Sequence, residues 1–144
     1  MKILIINGPN LNLLGKRDPE KYGRNTLKSI ESLLLSTFPD VSFNFYQSNI
    51  EGEIVSKIQS TEKEFDALII NPGGYAHTSV AIHDALMECK IPKVEVHLSH
   101  LAQREDFRQV LITARAVNGY ISGFKEISYL SAVFTLQQLL KSNA

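Results

Sequence analysis

The sequence has few of the features that mark secreted, membrane-bound or nucleic-acid-binding proteins. Its 144 residues include one cysteine, Cys89, so no disulfide can form within the chain. Fifteen basic and fifteen acidic residues cancel, so composition gives no support for a nucleic-acid or membrane-surface role. No apolar stretch has the length of a membrane span, and the first ten residues do not resemble a signal peptide. We therefore expect a cytoplasmic protein that forms one domain over residues 1–144.

Apolar stretches and amphipathic helical patterns alternate along the chain. Strands are predicted at 2–6, 67–70, 93–97 and 117–124. Apolar and polar residues alternate at 41–47, which predicts a half-covered strand at a sheet edge. Repeated strand–helix units imply a parallel sheet with helices on both faces. Right-handed crossovers favour the α/β, flavodoxin-like strand order 2-1-3-4-5.

Short polar side chains mark where several helices should begin. Thr78 or Ser79 can cap the helix that follows the third strand. Ser48 and Glu51 have the spacing of a capping box for an earlier helix. Cys89 falls on the apolar face of the helix after Ser79, where it should act as a small core residue.

The most informative stretch is the end of the third predicted strand, which stops at Asn71-Pro72-Gly73-Gly74. Proline removes a ladder donor there, and the paired glycines allow close approach of another backbone. In open α/β sheets, ligands bind at the carboxyl ends of strands, where the strand order reverses. That point lies between strands 1 and 3. Asn7 and Asn10 should therefore face His77 across one crevice, with His97 beside them.

Several kinds of chemistry lack the residues that they need in this crevice. The loop after strand 1 has no Ser or Thr for a flavin phosphate, and the ends of strands 1 and 3 lack the acids of phosphoacceptor domains. Neither a G-x-S-x-G elbow nor an H-E-x-x-H metal motif occurs. Lys2 and Lys93 begin their strands, at the wrong edge for a Schiff base. These absences favour acid–base chemistry, without cofactor or metal, on a polar and anionic small molecule.

Two groups of residues could carry that chemistry. Glu95 and His97 are two apart on one strand and share a face, so the carboxylate can fix the tautomer of the imidazole and raise its basicity. Tyr22 lies in a polar loop with four cations, Lys16, Arg17, Lys21 and Arg24.

Nearby cations favour the phenolate form of a tyrosine and could make Tyr22 a base, although a solvated turn fits the same spacing. Gly15 and Gly23 bracket this loop, so we expect it to close over the crevice as a lid.

Five blocks of sequence then occur together: INGPNLNLLG at 6–15, RDPE and YG within 17–23, QSN and EG within 47–52, INPGGY and HTSVA within 70–81, and VEVHLS, RE and FR within 94–108. Their identity and order resemble the type II 3-dehydroquinate dehydratases. The resemblance implies a flavodoxin-like enzyme without a cofactor. Such an enzyme converts 3-dehydroquinate to 3-dehydroshikimate by anti elimination through an enolate, the third step of chorismate biosynthesis in the shikimate pathway. It also implies a homododecamer built from trimers.

The same resemblance assigns catalytic roles to five residues. Tyr22 matches the base that removes the proton α to the ketone, and Arg17 matches the residue that activates it and stabilises the transition state. His97, oriented by Glu95, matches the acid that protonates the departing hydroxyl. Asn10 matches a residue that helps to hold a water against the enolate oxygen.

The substrate-binding set implied by the resemblance has six members. Asn71 and the backbone amides of Leu98 and Ser99 match the site for the substrate carboxylate. His77 and Arg108 match residues that contact the ring hydroxyls of the substrate. The sixth member, Asp84, matches an acid that a neighbouring subunit can supply.

The chain also departs from the family pattern. Gln109, Val110 and Leu111 stand where a His-Ser-Tyr segment is usual, and His83 stands where Arg is common. Two alternatives remain at this point. One is a non-catalytic domain that binds a polyhydroxy acid as a sensor, and the other is a different cofactor-free dehydratase or isomerase. A sensor has no need for Arg17 and Tyr22 near an acid–base pair.

Overall fold

The computed structural model describes residues 1–142, which form a five-stranded sheet flanked by helices. The strands are β1 (Lys2–Asn7), β2 (Ser42–Gln47), β3 (Ala67–Asn71), β4 (Lys93–His97) and β5 (Gly119–Ser122). Their order is β2-β1-β3-β4-β5, and every pairing is parallel. The predicted α/β, flavodoxin-like architecture is therefore confirmed, including the edge position of β2.

Residues 1–142 also contain five α-helices and six short 3₁₀ segments. The α-helices are α1 (Pro19–Tyr22), α2 (Leu27–Thr37), α3 (Glu51–Ser60), α4 (Val80–Glu88) and α5 (Ile127–Ser142). The 3₁₀ segments are Leu11–Leu13, Thr61–Lys63, Gly73–His77, Leu101–Gln103, Asp106–Arg108 and Thr113–Ala116. Within residues 1–142, none of these helices combines the length and apolarity that crossing a bilayer would need.

The core lies in two layers because successive strand residues point to opposite faces of the sheet. Ile3 and Ile5 of β1 pack with residues of α2 and α5, whereas Leu4 and Ile6 pack with residues of α3 and α4. Each of these four side chains is at most 1% exposed. Burying one such side chain contributes roughly 1.5–3 kcal/mol, so the layers hold the strand ends rigidly in place.

Two local predictions need correction. The last strand spans four residues, shorter than the predicted 117–124, because Gly123 has φ +101° and turns the chain towards α5. Ser48 and Glu51 do not form a capping box, since α3 begins at Glu51 and places Glu53 at the third helical position. Ser48 Oγ instead accepts from the backbone N–H of Ile50 and donates to Glu53.

The cap of α4 follows the prediction. Ser79 Oγ accepts a 2.9 Å hydrogen bond from the backbone N–H of Ile82. At the other end of the helix, Cys89 is the C-cap and is buried in the core, as its place in the apolar pattern suggested.

The loops after β1 and β3 touch through their backbones. The N–H of Gly8 donates a 2.7 Å hydrogen bond to the carbonyl of Asn71. A Cβ at Gly8 would lie 2.5 Å from Pro72 O, and one at Gly73, which has φ +60°, would lie 2.9 Å from Pro9 O. Only glycine fits at these two positions, because any side chain would collide with backbone. The close approach expected from the glycine pair therefore exists, and it fixes the spacing of the two loops.

Candidate active site

A cavity lies at the carboxyl ends of β1, β3 and β4, where the strand order reverses. Nine of the eleven site residues predicted from the sequence line it: Asn10, Arg17, Tyr22, Asn71, His77, His97, Leu98, Ser99 and Arg108. Arg104 also contributes to the wall. The remaining two, Glu95 and Asp84, do not line it, and their positions are described below.

Glu95 lies directly behind His97, on the same face of β4. Glu95 Oε1 is 2.7 Å from His97 Nε2, and the carboxyl group is fully buried. A carboxylate can only accept, so Nε2 carries the hydrogen of this bond, and Nδ1 is the nitrogen that can hold a second proton. The other oxygen, Oε2, accepts a 2.6 Å hydrogen bond from the hydroxyl of Thr113. Both carboxylate oxygens are therefore occupied, which fixes the imidazole in one orientation.

Tyr22 meets two guanidinium groups. Its phenolic oxygen accepts from Arg17 Nη2 at 2.9 Å and from Arg104 Nη2 at 3.0 Å. The guanidinium carbon of Arg17 also lies 3.8 Å from the centroid of the Tyr22 ring. Two charged donors on one phenolic oxygen stabilise negative charge there, which is the property that a tyrosine base requires.

The segment that carries Tyr22 has its own local structure. Asp18 caps the short helix α1 by accepting a 3.0 Å hydrogen bond from the N–H of Glu20, and Pro19 occupies the first helical position. Gly15 and Gly23, on either side, have φ values of +92° and +79°. These left-handed conformations turn the chain sharply at both ends of the segment, and they bring Arg17 and Tyr22 into contact.

His77 lies beside His97, with 6.2 Å between the ring centroids. His77 Nδ1 is 2.8 Å from the carbonyl oxygen of Val110, so Nδ1 carries the hydrogen and Nε2 is the acceptor of the neutral ring. Burial lowers the pKa of His77, and the nearby His97 and Arg108 lower it further. A neutral His77 can thus accept a hydrogen bond from a hydroxyl in the cavity.

Below the cavity, the two asparagines that end β1 and β3 share one tyrosine. Tyr129 Oη donates a 2.5 Å hydrogen bond to Asn7 Oδ1 and accepts a 3.1 Å hydrogen bond from Asn71 Nδ2. Asn71 Oδ1 accepts from the N–H of Gly73 at 3.1 Å. Tyr129 is fully buried, and burial raises the pKa of its phenol. Asn7, expected from the sequence to face the crevice, is therefore tied to α5 through this hydroxyl.

Asn10 adopts a left-handed conformation with φ +68°. Its backbone N–H donates a 3.1 Å hydrogen bond to Asn49 Oδ1, which also accepts from Gln47 Nε2 at 3.1 Å. The loop after β2 thereby holds the loop after β1, and it keeps Asn10 at the cavity wall.

Asp84 lies outside the cavity of its own chain. It is on α4, and its carboxylate is 2.9 Å from Nδ1 of His83. The side chain of Asp84 is 71% exposed. A role at the cavity of another subunit, as the family resemblance implies, stays a prediction.

Lys93 is remote from the cavity. Lys93 Nζ donates to the carbonyl oxygens of Cys89 and Ile91, at the amino end of β4 and far from the cavity edge of the sheet. No lysine lines the cavity among residues 1–142. The same part of the chain contains no cluster of three or more His, Cys, Asp or Glu side chains that could hold a metal ion.

Sequence reasoning assigned no role to Arg104, Glu105, Thr113 or Tyr129. Arg104 and Glu105 stand within a block that resembles the family, but the sequence does not indicate their contacts. Arg104 is 82 residues from Tyr22 and Thr113 is 18 residues from Glu95, so no local spacing links the members of either pair. Tyr129 is 122 residues from Asn7 and 58 residues from Asn71, so local spacing does not link these residues either.

The fold and the cavity together are those of a small α/β enzyme whose cavity carries groups suited to acid–base chemistry. A tyrosine bound by guanidinium groups and a histidine backed by a carboxylate line a single cavity, at the place where flavodoxin-like sheets bind ligands.

Comparison with known proteins identifies the family. Residues 1–137 match the family model described as Dehydroquinase class II. A curated 3-dehydroquinate dehydratase of Clostridium botulinum (strain Langeland) is 48% identical over 144 residues, which cover 98% of this chain and 95% of that protein. The crystal structure of a type II dehydroquinase from Butyrivibrio crossotus superposes with a TM-score of 0.92 at 40% identity, covering 95% of this chain and 97% of the other.

A second crystal structure, of a type II dehydroquinase from Propionibacterium acnes, has a TM-score of 0.88 at 31% identity and covers 94% of this chain and 96% of the other. The chain therefore belongs to the class II dehydroquinase family. The family resemblance drawn from the sequence and the prediction of an enzyme of this family are confirmed.

Proposed function

We propose that this protein dehydrates 3-dehydroquinate to 3-dehydroshikimate through an enolate, as the third step of chorismate biosynthesis. Family membership supports the reaction. The observation that carries the mechanism is the pair of guanidinium groups on the phenolic oxygen of Tyr22, in the cavity that His97 also lines. No metal ion or cofactor takes part in this proposal.

The first step is removal of the proton α to the substrate ketone. The phenolate of Tyr22 takes this proton, and the electrons of the C–H bond move into the enolate. Arg17 and Arg104 stabilise the phenolate before the transfer, and their charges remain close to the developing transition state. Asn10, at the cavity wall, helps to hold a water against the enolate oxygen.

The second step is loss of the hydroxyl group. The enolate re-forms the ketone, the new C=C bond forms, and the C–O bond breaks as His97 transfers a proton from Nδ1 to the leaving oxygen. The product is water and a conjugated enone. Glu95 stabilises the imidazolium of His97 by accepting from Nε2 through Oε1. The other oxygen of Glu95, Oε2, accepts from the hydroxyl of Thr113. The base comes from the lid and the acid from β4, an arrangement that suits anti elimination.

Substrate binding is divided between two sets of groups. The backbone amides of Leu98 and Ser99, with Asn71, bind the carboxylate at the ends of β3 and β4. His77 accepts from a ring hydroxyl through Nε2, and Arg108 donates to another. Asp84 of a neighbouring subunit completes the site in an assembled oligomer.

The decisive experiment is incubation of the purified protein with 3-dehydroquinate while the absorbance of the conjugated enone is followed. A rise that depends on the protein, and that is absent with Tyr22→Phe, supports the proposal. Binding of 3-dehydroquinate by folded protein without any rise in absorbance would favour the sensor instead.

We also propose that the chain assembles into a homododecamer built from trimers. Several large apolar side chains are more than half exposed in the isolated chain, among them Val80, Met87, Phe107 and Val110. Val80 and Met87 are seven residues apart on α4 and therefore share one face of that helix, and an exposed apolar face commonly marks an interface between subunits. The β2 strand also presents a sheet edge, which proteins usually cover or protect. Sedimentation velocity tests the assembly, and a stable, fully active monomer would contradict it.

A further inference from the structure

One carboxylate outside the cavity holds two arginines that line it. Glu105 Oε2 accepts from Arg108 Nε at 2.8 Å and lies 3.3 Å from Arg104 Nε. Both guanidinium groups reach the cavity wall, whereas Glu105 does not. The pKa of Glu105 is lowered to about 2 by its own backbone N–H, and Arg108 and Arg104 add to this effect. The carboxylate is therefore charged across the working pH range of an enzyme.

Arg104 uses all three of its nitrogens. Nε faces Glu105, Nη1 donates to Ser99 Oγ at 2.9 Å, and Nη2 donates to the phenolic oxygen of Tyr22. Its side chain is only 7% exposed. A guanidinium is planar and rigid, so fixing Nε and Nη1 also fixes the direction of Nη2. Glu105 and Ser99 thus determine where the Arg104 donor meets Tyr22.

Within the part of the chain that the structure describes, the Arg108 side chain is held through Nε alone, so its terminal Nη nitrogens can meet a ligand. Arg108 and Glu105 are three residues apart on one short turn, which is closed by a 2.9 Å hydrogen bond from the N–H of Arg108 to the carbonyl of Glu105. Gln109 Nε2 donates to the carbonyls of Leu101 and Arg104, so the unusual residue at position 109 ties the two ends of this segment together.

A contribution to stability does not account for this arrangement. The Glu105 side chain is 44% exposed, and exposed ion pairs contribute little to the free energy of unfolding. The contacts of Glu105 instead orient the guanidinium groups of Arg104 and Arg108, which line the cavity. Because the negative charge of Glu105 would itself oppose a phenolate at Tyr22, its benefit must come from holding Arg104 in place.

We propose that Glu105 is a positioning residue of this active site. Through one carboxylate oxygen it orients Arg104 towards Tyr22 and Arg108 towards the substrate hydroxyls. The proposal rests on the function proposed above. It assigns Glu105 no contact with the substrate. Its effect on catalysis should therefore depend on the presence of Arg104.

The test compares five variants of the full chain in the 3-dehydroquinate assay. Glu105→Ala removes the acceptor, and Glu105→Gln removes the charge but keeps an oxygen acceptor. Asp106→Ala is the matched control, since it removes the neighbouring exposed acid. The double variant Arg104→Ala/Glu105→Ala measures coupling when compared with Arg104→Ala.

We expect Glu105→Ala to lower kcat/KM by about tenfold or more, with a lower kcat and a higher KM. Glu105→Gln should recover most of this loss, and Asp106→Ala should stay within about twofold of the wild type. In the Arg104→Ala background, the further loss of kcat caused by Glu105→Ala should fall below about threefold.

Circular dichroism and urea midpoints establish that each variant is folded before its kinetics are compared. If the wild type is active and Glu105→Ala has the same kcat/KM, the inference about Glu105 is wrong and the proposed function stands. The same holds if Glu105→Ala lowers kcat equally with and without Arg104. A wild type that does not convert 3-dehydroquinate would instead overturn the proposed function.

Discussion

The hydroxyl of Thr113 donates a 2.6 Å hydrogen bond to Oε2 of Glu95, the carboxylate oxygen that does not contact His97. Both side chains belong to residues that are fully buried. A buried carboxylate oxygen without a donor costs free energy and is free to rotate towards any other partner. Thr113 therefore stabilises the fold and, through Glu95, the orientation of the proposed acid.

Replacement of Thr113 by Val tests this relationship, because valine keeps the shape of threonine and removes the hydroxyl. We expect a loss of roughly 1–3 kcal/mol in the free energy of unfolding, measured in urea, together with a lower kcat. Thr113→Ser, which keeps the hydroxyl, should recover much of both losses. Unchanged kcat in a folded Thr113→Val protein would show that Glu95 does not depend on this donor.

Tyr22→Phe keeps the ring and its contact with Arg17 but removes the ionisable oxygen. Turnover should fall by about 10²–10⁴-fold, the usual contribution of a general base, while substrate binding persists. Steady-state kinetics and equilibrium binding of 3-dehydroquinate measure the two quantities separately. Near-normal turnover would mean that the base lies elsewhere in the cavity.

Arg17→Ala and Arg104→Ala each remove one of the two charged donors on the Tyr22 oxygen. Each change removes a donor that holds the phenolic oxygen and a positive charge beside the developing transition state, so kcat should fall by about tenfold or more in both variants. Steady-state kinetics with 3-dehydroquinate measure this fall. A kcat close to that of the wild type in either folded variant would contradict the role assigned to that arginine.

The Tyr129 hydroxyl should stabilise the protein in a pH-dependent manner. Burial raises the pKa of this phenol, so the phenol stays protonated in the folded state at pH values at which it ionises in the unfolded state. Its contribution is then fully present below pH ~10, the usual pKa of tyrosine, and is lost as the pH rises above that value. The difference in unfolding free energy between the wild type and Tyr129→Phe should therefore shrink between about pH 9 and 11.

At neutral pH that difference should be roughly 1–3 kcal/mol, because phenylalanine leaves Asn7 and Asn71 without their shared partner. Urea titrations at each pH measure it. Tyr120→Phe is the matched control at neutral pH, since Tyr120 is half exposed and its replacement should change the free energy of unfolding little. A difference for Tyr129→Phe that stays constant up to pH 11 would contradict the prediction.

Much of the fold could be predicted because its signals are local. Apolar runs and their alternation with helical patterns indicate the strands, and the handedness of crossovers then leaves few possible orders. The Glu95–His97 pair follows from the two-residue repeat of a strand. The ends of elements are less well determined: Ser48 and Glu51 have capping-box spacing, yet the helix starts at Glu51, so the carboxylate that meets Ser48 is that of Glu53.

The second half of the site could not be predicted in the same way. Arg104 meets Tyr22 only because the loop after β4 folds towards the segment between Gly15 and Gly23. Thr113 meets Glu95 only because its 3₁₀ segment packs against α4 and β5. Such contacts depend on tertiary packing across many residues of chain. Family resemblance identified nine of the residues that line the cavity, but it carried no information on which donors hold them in place.

The backbone contact between Gly8, Pro9 and the Pro72–Gly73 turn has a consequence for inhibitor design. At Gly8 and Gly73 these loops already touch main chain to main chain, so their contact cannot open by the rotation of a side chain. Another part of the wall carries Arg17 and Tyr22, on a segment between two glycines with positive φ. Substituents that extend a substrate-like scaffold should therefore gain room towards Arg17 and Tyr22, and should be rejected when they grow towards Gly73.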